Sequence, residues 1–372
     1  MKKSLLALAL LGAFGAASAQ SSVTLYGIAD VNVQRSDPKA GTASDPQATT
    51  GVASGYQAGS RLGVRGTESL GGGLNAIFTL ELGYNIDDGS RGQQTTASTV
   101  TTPTGTLTIP AVDRLFGRQA WAGLSGGFGS IVMGRIPTFS SGTGSFDMFG
   151  AVDPFDTGWG ALGAQASFSS ANSLRLDNTV AYVTPTMGGL KAGVAYSFNA
   201  IGAESAGGGN ANVRVIGTGV SFGAGPFYGV VTYDSVDYPT AVQSDKQTHL
   251  QVGGTFDLKF VKLAAAWGQE KSLVALDVGK AAVGGDADAW LVGATVPFGA
   301  TQLRASYQQR NADAVGATPD GKKKTYGIGL RHALSNRTFL ALGYGDQKRE
   351  GSLKTASNGG VKELTLGVRH NF

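Results

Sequence analysis

Apolar and polar residues alternate along most of this chain with a period of two. In residues 190–198 one face carries Leu190, Ala192, Val194, Tyr196 and Phe198, and the other carries Lys191, Gly193, Ala195 and Ser197. Residues 74–84 set Leu74, Ala76, Phe78, Leu80, Leu82 and Tyr84 against Asn75, Ile77, Thr79, Glu81 and Gly83. In 301–310 the polar set is Gln302, Arg304, Ser306, Gln308 and Arg310. The chain ends with Leu364, Leu366, Val368 and Phe372 alternating with Glu363, Thr365, Gly367, Arg369 and Asn371. Successive side chains of a strand point to opposite faces, so this period predicts strands with one apolar and one polar face. The density of glycine and β-branched residues in these windows opposes helix.

The predicted connections alternate between short and long. Short turns fall at 70–73, 125–129, 185–189, 223–226, 257–259, 298–300 and 334–336. Long polar loops fall at 35–59, 86–113, 136–173, 199–212, 235–248, 270–286, 311–324 and 347–359. Seven turns and eight loops imply 16 strands, with all turns at one end and all loops at the other. That is the pattern of an all-β, transmembrane, antiparallel up-and-down β-barrel. Tyr84, Trp121, Tyr182, Tyr196, Tyr233, Trp267, Trp290, Tyr326, Tyr344 and Phe372 sit near strand ends, and parity places them on the apolar face. Amphipathic rings there form the girdles of a membrane barrel. A soluble sandwich with this many strands would need two domains, and no linker divides the chain.

The third long loop, 136–173, is the oddest stretch, rich in Gly and Ser, carrying Phe, Met, Trp and Asp, and almost free of basic residues. Loops of this length are uncommon and usually functional. It is expected to fold back into the lumen and narrow it, with Phe146, Met148, Phe149, Phe155 and Trp159 packed against the inner wall.

Composition changes this picture little. The mean hydropathy of −0.01 conceals a barrel, because only every second residue need be apolar. There are 58 glycines and no cysteine, which excludes disulfides and thiolate chemistry. The formal charge is +4, and without Lys2 and Lys3 it is about +2, too little to argue for nucleic acid. Residues 1–19 have the form of a secretory signal peptide: Lys2 and Lys3, an apolar run at 5–14, and a cleavage site at Ala17-Ser18-Ala19. Residues 20–372 are then one barrel domain.

Three arginines open the strands that follow the first three long loops: Arg61, Arg118 and Arg175. Parity against Leu62/Val64, Gln119/Trp121 and Leu176/Val180 turns them into the lumen. Alternate strands lie about 9–10 Å apart, so they would form a basic ladder on one wall, with Arg65 and Arg114 extending it. Each could instead be an ordinary solvated lumen residue, or pair with an acid for structure. The acids expected to face them are Asp147, Asp153 and Asp156 of the third loop. Asp153 could equally make an Asx turn before Pro154. Such a constriction predicts a weak preference for anions. His249, His332 and His370 read as interfacial residues, without a nucleophile–base cluster. No catalytic residue, cofactor or metal site is expected.

Several segments carry a resemblance: 22–32 (SVTLYGIADVN), 60–70 (SRLGVRGTESL), 117–129 (GRQAWAGLSGGFG), 153–155 (DPF), 175–196 (RLDNTVAYVTPTMGGLKAGVAY), 334–340 (LSNRTFL) and 367–372 (GVRHNF). In their order and spacing the chain resembles the trimeric general porins of Gram-negative bacteria, in particular the beta-proteobacterial branch, over essentially all of 20–372. The resemblance implies a homotrimer of sixteen-stranded barrels in the outer membrane, with the third loop bent inward as a constriction. It implies passive diffusion of ions and small hydrophilic solutes. Arg61, Arg118 and Arg175 coincide with the family's constriction arginines. Phe372 looks like the signal read by the outer-membrane assembly machinery. Outer-membrane lipid and lipopolysaccharide would surround the barrel. A solute-specific channel is the alternative, and would favour a row of aromatics in the lumen. An outer-membrane enzyme or a plugged adhesin would need features the sequence does not offer.

Overall fold

The computed structural model describes residues 21–43, 46–94, 98–101, 105–109, 111–155, 162, 175–204, 212–240, 242–273, 285–313, 319–354 and 358–372. The expected signal peptide, 1–19, lies outside the described residues.

The strands are β1 (Ser22–Pro38), β2 (Thr49–Ser54), β3 (Arg61–Gly71), β4 (Leu74–Gly83), β5 (Ser98–Thr101), β6 (Thr106–Ile109), β7 (Gln119–Gly126), β8 (Gly129–Pro137), β9 (Arg175–Val183) and β10 (Leu190–Ser197). They continue as β11 (Arg214–Ala224), β12 (Phe227–Asp237), β13 (Gln247–Asp257), β14 (Lys262–Lys271), β15 (Ala287–Phe298), β16 (Thr301–Ala312), β17 (Gly321–Ala333), β18 (Thr338–Glu350) and β19 (Gly360–Asn371). Neighbours in the wall pair antiparallel, and β19 pairs with β1 to close the sheet. β2 and β3 both pair with β1, at Val31↔Ser54 and Ile28↔Arg61. They are two halves of one wall strand, interrupted at 55–60. β5 and β6 form a separate hairpin. The wall therefore has sixteen strands, as the alternation predicts.

Closure uses the last residue of the chain. Gly27 N–H donates to the Phe372 carbonyl at 3.0 Å and Phe372 N–H to the Gly27 carbonyl at 3.1 Å. The Phe372 ring covers Gly27 so closely that a Cβ there would sit 2.3 Å from it. Closing the sheet leaves no edge of unpaired backbone groups, which a hydrocarbon environment would not satisfy.

The burial pattern is inverted relative to a water-soluble core. Leu25 is 61% exposed, Met133 58% and Leu366 59%, while Thr232, Gln251 and Gln308 are buried. An apolar exterior around a polar interior is the arrangement of a barrel in lipid. Among the described residues no helix is long and apolar enough to cross a membrane.

Three local expectations are corrected. β1 reaches Pro38 and β2 starts at Thr49, inside the stretch read as the loop 35–59. These ends pair through the backbone, but Arg35, Asp37 and Thr50 interrupt the apolar alternation on their outer side, so it does not reveal them. Trp121, expected on the lipid side, faces the lumen and packs on Phe146 at 5.1 Å between ring centroids. On β7 it is Ala122 and Leu124 that are exposed. Leu176, also expected outside, is buried with Val215, Val236 and Tyr238.

Candidate functional site

The loop between β8 and β9 is described over 138–155 and at 162, and Trp159 falls outside these residues. Phe139, Phe146, Met148, Phe149, Val152, Phe155 and Leu162 are all buried. Most of them join one apolar cluster with wall residues that include Trp121, Val132, Ala195, Val230 and Leu291. Burying such a side chain contributes about 1.5–3 kcal/mol. Polar ties run beside the apolar ones. Ser140 Oγ donates to Asp234 Oδ2 at 2.7 Å, and Tyr228 OH to the Met148 carbonyl at 2.6 Å. Arg304 Nη1 donates to the Phe155 carbonyl and Gln308 Nε2 to that of Leu162, both at 3.2 Å. On β12 these wall positions alternate with Val231 and Tyr233, which are exposed outside. The described part of the loop thus packs against the inner wall.

The loop holds its own shape through its acids. The Asp147 carboxylate accepts N–H groups from Gly142 at 2.6 Å, Phe149 at 3.1 Å and Gly150 at 2.8 Å. Gly142 has φ 66, a conformation that favours glycine. Asp153 Oδ1 accepts Phe155 N–H at 2.9 Å, the Asx turn that the sequence left open. Asp156 lies outside the described residues.

The three arginines come to one level of the wall, through the registers Arg61↔Gly83, Glu81↔Gln119 and Pro137↔Arg175. Arg61 Nε donates to the Gly59 carbonyl at 2.9 Å. Arg118 Nε donates to Glu81 Oε1 at 2.7 Å, with both side chains nearly inaccessible, and its Nη2 reaches Thr143 Oγ1 of the loop at 3.1 Å. Arg175 is buried within electrostatic range of Arg118, Arg135 and Arg61. Glu81 also accepts Tyr26 OH at 2.9 Å. The parity used to orient Arg118 is corrected, because Gln119 and Trp121 face inward too. β7 begins only at Gln119, and Arg118, just before it, is free of strict alternation. Arg65 lies over the Tyr26 ring at 5.1 Å, and Arg114 and Arg135 both pair with Asp177.

The far wall carries a second charged group. His249, expected at the membrane interface, is buried in the lumen wall 3.9 Å from Asp234 and 3.7 Å from Glu270, which pairs with Arg310. Each strand supplies one such residue, so nothing in the sequence marks them as neighbours.

A closed barrel with an apolar exterior, a polar lumen and a loop packed inside it defines a membrane channel. The chain belongs to the Gram-negative porin family, whose model matches residues 6–352. It is 34% identical to an outer membrane porin protein of Bordetella pertussis and 32% identical to outer membrane porin protein 32 of Delftia acidovorans, each over 100% of both chains. Its fold matches the anion-selective porin from Comamonas acidovorans with a TM-score of 0.71 and 25% identity, covering 95% of this chain and 100% of that one. The protein is an outer-membrane channel and not an enzyme.

Proposed function

We propose that residues 136–173 form the constriction of this porin and that Arg61, Arg118 and Arg175 make it weakly anion-selective. One observation carries the reading: three arginines meet at one level around the buried Glu81, and beside them Arg114 and Arg135 share the one carboxylate of Asp177. Asp147 and Asp153 make turns within their own loop, and Asp156 completes the loop's negative charge. A net positive field at a constriction favours anions. The similarity to a porin described as anion-selective supports the reading. Charge of both signs across the aperture orders water and polar solutes, which disfavours apolar ones. The test is the reversal potential of single channels in a salt gradient. It should lie on the anion side and grow as salt falls, since the screening length rises from about 3 Å at 1 M to about 10 Å at 0.1 M. A reversal potential on the cation side would overturn the proposal.

The same reading includes a signal peptide at 1–19, a homotrimer, contact with lipid and lipopolysaccharide, and recognition of Phe372 by the assembly machinery. Phe372 also makes two closure hydrogen bonds, so its deletion is doubly harmful. The truncated chain should cross the inner membrane normally and form heat-resistant oligomer more slowly. Normal oligomer levels in pulse-labelled cells would contradict this.

A further inference from the structure

Where the loop crosses the barrel wall, the wall carries glycine. Gly193 on β10 and Gly219 on β11 lie under Phe139, and Gly253 on β13 lies under Phe149 and Val152. Gly293 on β15 lies under Pro154, Gly327 on β17 lies under Leu162, and Gly343 on β18 lies under Tyr56 and Leu162. All six face the lumen, because a residue flanking each in its strand, such as Val194, Val252, Val292 or Ile328, is exposed outside.

Backbone conformation does not require glycine at these positions, since none has a left-handed φ. Glycine inside a strand costs roughly 0.5–1 kcal/mol relative to alanine and packs nothing itself. Space supplies the reason. A Cβ at 193 would sit 2.5 Å from the Phe139 ring. At 219 it would sit 2.8 Å from Phe139 Cβ and 2.9 Å from Met148 Sδ, and at 253 it would sit 3.1 Å from Val152. At 327 it would sit 2.5 Å from Leu162. Carbon atoms settle at about 3.5–4.0 Å, so a methyl group at 193 displaces the ring by about 1 Å.

We infer that this row of wall glycines sets how deep the loop is seated, and with it the width of the lumen and the solute size it passes. The glycines are sockets for the loop's apolar side chains. Filling one lifts the loop toward the barrel axis and narrows the opening from the side away from the arginines. The inference rests on the proposal that the loop narrows the lumen.

Single-channel conductance and the size cut-off for neutral sugars test it. Gly193→Val and Gly253→Val should each lower conductance by about a factor of two, with a smaller fall for Gly193→Ala. Adding Phe139→Ala to Gly193→Val removes the side chain that the new one meets, and should restore conductance. Gly223→Val is the control, since a Cβ there meets only Tyr228, at 3.7 Å, and conductance should not change. The inference is overturned if the valine variants conduct normally, or if Phe139→Ala fails to rescue Gly193→Val. If a valine variant gives no channels, Gly193→Ala and the double variant decide. Shortening the loop separates the two ideas. A wider channel on shortening, with unchanged conductance in the glycine variants, sinks only this inference.

Discussion

Removing residues 142–150 from the third loop is expected to raise single-channel conductance about twofold or more and to admit larger solutes. The segment contains Phe146, Met148 and Phe149, which anchor the loop to the wall, and Asp147, whose carboxylate ties together Gly142, Phe149 and Gly150. Without these anchors, what remains of the loop is no longer held at the same level of the wall. The barrel should survive, because its strands pair with one another all round the wall without using the loop. The losses include Trp121's contact with Phe146, Tyr228's bond to the Met148 carbonyl, Arg118's bond to Thr143 and the Ser145 N–H bond to Gln119, none of them part of the strand ladder. The measurement is conductance together with liposome swelling in sugars of increasing size. An unchanged cut-off would show that these residues do not define the aperture.

The second large effect concerns charge. Replacing Arg61, Arg118 and Arg175 together by glutamine should carry selectivity past neutrality to a preference for cations of at least a few-fold. The sign follows from what is left behind. Glu81 remains at the aperture, held by Tyr26 but without its Arg118 partner. Arg118→Gln alone leaves a buried charge uncompensated, a change that typically costs about 3–5 kcal/mol, so the variant should also be less heat-stable. Adding Glu81→Gln should recover much of that stability and return the reversal potential close to zero. If the triple variant keeps the wild-type reversal potential, these arginines do not govern the field in the pore. If the quadruple variant stays as cation-selective as the triple, the residual charge comes from the loop acids and not from Glu81.

The strand count, the closed antiparallel barrel and the lumen side of most residues are determined by the sequence itself. The reason is local: in a strand, parity alone decides which way a side chain points. The inward anchoring of the loop was legible for a related reason, since Phe146, Met148, Phe149 and Phe155 have no place in a water-exposed loop. Parity failed at Arg118, which lies just before β7. At Trp121 alternation held, since Ala122 and Leu124 face out. It was the assumption that an aromatic residue marks the lipid face that failed there, because Phe146 of the loop covers this ring in the lumen. What the tertiary structure alone decided is the pairing. Glu81 meets Arg118 across 37 residues, Arg135 meets Asp177 across 42, and Ser140 meets Asp234 across 94. One charged residue per strand carries no mark of its neighbours in the chain. Only sheet register and barrel curvature choose which charges share a level, and therefore whether the acids of the lumen neutralise its arginines or leave the field positive.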